Sequence, residues 1–96
     1  MVSPELLLTD HARIRMQQRG VRREVVDLLL QFGSRAYDGR GAQIRYFDGR
    51  ACKRIRNAMG DETLRRCHDR LDSYAVVAND GQIVTVGHRY RRRRRR

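Results

Sequence analysis

The chain has no apolar run approaching the roughly 20 residues a membrane span needs; its leucine triplets at 6–8 and 28–30 are closed off by polar neighbours. It has only two cysteines, Cys52 and Cys67, and its first residues, Met-Val-Ser-Pro-Glu, lack the basic start of an export signal. A disulfide framework is therefore not expected, and both thiols read as reduced in a cytoplasmic protein. Lysine is almost absent, because Lys53 is the one basic side chain of 22 that is not arginine. Length is short as well. Ninety-six residues suit one small domain and leave no room for a second.

What is abundant is positive charge, with 22 basic against 11 acidic side chains and a net charge of +11. Six of those arginines form the run 91–96, and setting them aside leaves 16 against 11, so the body keeps an excess of about +5. The expected partner is anionic. The run itself cannot be buried and is expected to be a disordered basic tail to a domain spanning 1–90, binding RNA or another polyanion in a salt-dependent way.

Along the chain, Thr9 or Asp10 can cap a helix that stops before Gly20. On it His11, Arg15 and Arg19 fall on one stripe, with Ala12 and Met16 beside them. A second helix over 22–32 presents Val25, Val26, Leu29, Leu30 and Phe32. Segments 34–38 and 42–48 flank Gly39-Arg40-Gly41 and read as a hairpin, with Ile44 and Tyr46 on one side and Gln43, Arg45 and Phe47 on the other. Residues 49–73 read as a helical insert split at Gly60, with Asp61 as second cap and Leu64, Cys67 and Leu71 along one helix. Segments 74–78 and 82–90 form a final hairpin around Asn79-Asp80-Gly81. The pattern predicts an α+β fold: two N-terminal helices packed on an antiparallel sheet of about four strands, with the insert between strands 2 and 3.

Two constellations could carry chemistry. His11, Arg15 and Arg19 pair a side chain that titrates near neutrality with cations that hold phosphate; packing and solvated charge explain them equally well. In His88-Arg89-Tyr90, strand alternation places His88 and Tyr90 on the face of Val84 and Val86. Metal-independent cleavage of RNA needs a base for the 2′-hydroxyl, a cation for the phosphorane and an acid for the leaving oxygen. His11 with His88 or Tyr90 could divide those roles, and Arg15, Arg19, Arg89, Arg91 and Arg92 could hold the backbone. The plainer reading leaves Tyr90 packing and His88 at the surface. Cys52, Cys67 and His68 match no zinc spacing, and Gly39-Arg40-Gly41 is a turn rather than a phosphate loop, so no metal or cofactor is expected.

The stretch Thr9-Asp10-His11-Ala12-Arg13-Ile14-Arg15-Met16-Gln17-Gln18-Arg19-Gly20-Val21 resembles the opening signature H-A-x-x-R-M-x-x-R-G-[IV] of a bacterial family of uncharacterised small domains. Asp80-Gly81 followed by Ile83-Val84-Thr85-Val86 is similar to that family's close. The family is similar in layout to the RelE- and BrnT-type toxins of toxin-antitoxin pairs. The resemblance implies an RNA-binding or RNA-cleaving domain with an acidic antitoxin partner, and directs attention to His11, Arg15, Arg19 and His88. Two rivals stand beside a toxin-like endoribonuclease. One is a non-catalytic nucleic-acid-binding or regulatory module; the other is an interaction module that docks an acidic protein at the sheet edge.

Overall fold

A computed structural model of the chain describes residues 8–88. The expectations for Arg89, Tyr90, Arg91 and Arg92, and for the tail 91–96, lie outside the described residues. Helix α1 (Asp10–Arg19) starts where Thr9 Oγ1 accepts a hydrogen bond from the Ala12 amide, and ends at Gly20, whose φ of 66° is the left-handed cap a β-carbon would strain. Helix α2 (Arg23–Phe32) follows, then strands β1 (Ser34–Tyr37) and β2 (Gln43–Tyr46). Helices α3 (Gly49–Met59) and α4 (Asp61–Arg66) and a 3₁₀ turn over His68–Arg70 form the insert. Strands β3 (Ser73–Val77) and β4 (Ile83–His88) close the chain. The α+β reading holds: the strands form one antiparallel sheet in the order β1-β2-β3-β4.

The core lies on one face of that sheet. Ala75, Ile83 and Val86 pack with Val25, Val26 and Leu29 of α2, Ala12 of α1 and Ile55 of α3, all nearly excluded from solvent. Each buried Val, Leu or Ile side chain contributes roughly 1.5–3 kcal/mol relative to exposure. Helix α1 lies against β4, and Thr9 ties its start to that strand through its amide, 3.1 Å from the Ile83 carbonyl. Helix α2 covers β3 and part of β2. Strand β1 projects beyond the helices as an edge.

Three details depart from the sequence pattern. Gly60, not Asp61, is the N-cap of α4; Asp61 is its first helical residue and pairs with Arg56. Leu64, Cys67 and Leu71 do not share one helix, because α4 ends at Arg66 and the 3₁₀ turn intervenes. In β4 strict alternation would seat Val84 with Val86. The buried pair is instead Ile83 and Val86, since Val77 pairs with Ile83 while Val76 pairs with Thr85, and the extra residue shifts the pleat.

Candidate nucleic-acid interface

On α1, the period-four stripe forms as the spacing implies. His11 is exposed and its Nε2 lies 3.4 Å from Arg15 Nε, so the ring nitrogen accepts from the guanidinium, while Arg19 reaches solvent at the far end. Ala12, on the neighbouring stripe, is fully buried and Met16 packs against the core.

His88 is on the Val86 side of β4 but does not face His11. Its Nε2 lies 2.8 Å from the Arg19 carbonyl oxygen, which can only accept, so that nitrogen carries the proton. Nδ1 is 3.4 Å from Ser73 Oγ and 3.2 Å from Asp72 Oδ1, the latter an ion-pair distance rather than a directed hydrogen bond. The ring thus clamps the C-terminus of α1 to β3 and β4. His11 begins α1 and His88 touches its end, a separation of about 12 Å along the axis. The proton-exchanging pair formed by His11 and His88 is therefore not assembled, because both groups would need hydrogen-bond reach of one ribose-phosphate.

Neither cysteine is an activated nucleophile. Both thiols are free, and burial pushes the pKa of Cys67 and of Cys52 up, away from the reactive thiolate.

A second cationic region gathers where α2 ends, β1 begins, β2 ends and α3 starts. A cleft of about 520 Å³ is lined by Arg35, Arg45, Arg50 and Arg54 together with Ser34, Tyr46 and Asp48, among others. The turn from α2 into β1 needs Gly33, because a β-carbon there would sit 2.4 Å from the Leu29 carbonyl oxygen and 3.2 Å from that of Tyr46. Two of the arginines are structural. Arg45 donates to the carbonyls of Leu30, at 3.0 Å, and Gly33, at 3.3 Å; Arg54 donates to that of Phe32, at 2.8 Å, and to Ser34 Oγ, at 3.3 Å. They satisfy acceptors that the end of α2 leaves without intrahelical partners. Asp48 caps α3 through the Ala51 amide, 2.9 Å away, and accepts from Ser34 Oγ at 2.7 Å. The Ser34 hydrogen bond, then the Ala51 amide and the Arg54 and Arg50 charges, hold its carboxyl below the usual carboxylate range.

Local electrostatics leaves that cleft with an excess of positive charge. Arg35 and Arg45 stand directly opposite each other across β1 and β2, a like-charge pair that is unfavourable by itself. Burial, followed by the Arg35 charge, lowers the Arg45 pKa. Arg45 Nε is buried without a hydrogen-bond partner. Arg50 lies in the first turn of α3, which contains no acidic residue, so a cation adds to the positive end of the helix dipole. Among the described residues, neither the Arg35 nor the Arg50 side chain makes a hydrogen bond or a close ion pair, although the Arg50 charge lies near Asp48. An anion in the cleft would offset the Arg35–Arg45 repulsion and the cationic first turn of α3.

Sequence reasoning missed this cleft because its cations come from three separate elements at no recurring spacing. The alternation that puts Arg45 with Gln43 and Phe47 was visible; its pairing with Arg35 depends on hairpin register. No protein-family model, no curated protein and no solved structure matches the chain.

Proposed function

We propose that this domain binds RNA, seating backbone phosphate in the cleft between the end of α2, the β1–β2 hairpin and the start of α3. The observation that carries the reading is the Arg35–Arg45 pair, which sets like charges opposite each other at a cleft that Arg50 also lines. Most other arginines of the insert are engaged within the fold: Arg66 with Glu24, Arg65 with Glu62, Arg56 with Asp61 and Arg70 with the Gly20 carbonyl. The arginines of α1 supply a second, convex contact surface. The α1 sequence resembles the signature of an uncharacterised bacterial family whose layout is similar to that of RelE- and BrnT-type toxins, which supports an RNA ligand.

Binding requires no proton transfer, and cleavage by His11 with His88 is not part of the proposal. An acidic protein regulator is a second reading, favoured by the position of β1 at the edge of the sheet with exposed Arg35 upon it. The two are separated by titrating fluorescent single-stranded RNA against the protein in EDTA over a range of salt, with a gel of the same samples. Intact RNA, bound with an affinity that falls with salt and a slope reduced by Arg35→Gln with Arg50→Gln, supports the RNA reading. A chain ending at Tyr90 that retains no RNA affinity would overturn it, since the cleft would then contribute nothing.

A further inference from the structure

We infer that the outer part of the β1–β2 hairpin is a nucleotide-recognition site in which an unpaired base stacks on Tyr37 while its phosphate lies between Arg35 and Arg45. This rests on the RNA reading and specifies it as single-stranded.

The register defines the site. Arg35 pairs with Arg45, and Tyr37 pairs with Gln43, so all four side chains leave the same face of the hairpin in two adjacent rungs. That is the face on which the helices pack over β3 and β4, but their cover stops short of β1. Arg35 is exposed, and Tyr37 is 71% exposed, the most exposed large hydrophobic side chain among the described residues. A tyrosine on an edge strand stabilises the fold little when so much of its ring meets water. Its placement fits a π-surface offered to a ligand, as single-strand binders use.

The spacing suits a nucleotide. Two residues along a strand span about 6.6–6.8 Å, so the cationic rung and the aromatic rung are separated by roughly the reach from a phosphate to its base. Gln43, across from Tyr37 and half-buried, adds a carboxamide that can donate and accept at a base edge. A base held inside a duplex cannot expose its face to Tyr37. The site therefore favours single strands, whereas phosphate contacts alone do not.

The chain has no tryptophan, so Tyr37→Trp places a single reporter at the site. In the full-length protein, single-stranded oligoadenylate is expected to quench that tryptophan. Inorganic polyphosphate, which can engage the arginines but carries no base, is expected to bind without quenching. Tyr37→Ala should weaken oligoadenylate binding about fivefold or more and leave polyphosphate and duplex RNA affinities unchanged, while Tyr37→Phe restores the oligoadenylate affinity. Oligoadenylate binding that neither quenches the tryptophan nor responds to Tyr37→Ala would overturn this inference and leave the RNA reading standing. No oligoadenylate binding by the unmodified chain would overturn the RNA reading itself.

Discussion

The cationic stripe of α1 and the cleft at the end of α2 are built from the same side chain in opposite ways. On α1, Arg15 and Arg19 extend from one convex element whose other stripe, Ala12 and Met16, carries the packing, so charge and stability are separated on the helix. At the cleft they are combined: Arg45 and Arg54 hold the end of α2, while the Arg35 and Arg50 side chains stand beside them with no hydrogen bond or ion pair among the described residues. A convex stripe can lose an arginine without structural consequence. The concave cleft can lose Arg35 or Arg50 in the same way, but not Arg45 or Arg54, because those two also satisfy carbonyls at the end of α2.

The largest test of that contrast is Arg45→Ala. It removes two charge-assisted bonds to the Leu30 and Gly33 carbonyls along with the packed stem, and should cost about 2–3 kcal/mol in urea unfolding; Arg15→Ala should cost almost nothing by the same assay. Asp48→Ala comes next, at about 1–2 kcal/mol for a lost helix cap. Because the folded pKa of Asp48 is lowered, its contribution is complete above the unfolded carboxyl value near 3.9 and disappears as pH falls through the folded value. Wild type and variant should therefore differ at neutral pH and converge in strong acid, when measured by thermal melts across pH. His88→Ala should destabilise by about 1 kcal/mol, the scale of the lost bond to the Arg19 carbonyl, and leave RNA affinity intact. A loss of RNA affinity without loss of stability would return His88 to a ligand-facing role. The smallest effect belongs to His11→Ala, expected to change stability by less than about 0.5 kcal/mol because the ring is exposed.

Local chemistry made much of the architecture legible before the structure. Thr9 and Gly20 bound α1 as their capping chemistry implies, and Gly60 divides the insert; the alternation expected of β2 is not reflected in burial, since all four of its residues are half-buried. The bulge in β4 was not legible, since an extra residue leaves no mark in a run of β-branched side chains such as Ile83-Val84-Thr85-Val86. Nor was the role of His88, because only tertiary packing brings the Arg19 carbonyl and Asp72 to its ring. The α1 stripe stood out because a helix repeats every four residues. The cleft did not, because Arg35, Arg45, Arg50 and Arg54 become neighbours through hairpin register and the placement of α3, which no linear spacing encodes.

The most direct test compares two double variants in the full chain, Arg35→Gln with Arg50→Gln and Arg15→Gln with Arg19→Gln, by the salt dependence of single-stranded RNA affinity. If the cleft seats the phosphates, its variant lowers the slope of log affinity against log salt by about 1.4, two contacts at roughly 0.7 each, and the α1 variant lowers it less. An unchanged slope for the cleft variant, with the loss confined to the α1 variant, would contradict the assignment and place the interface on the helix.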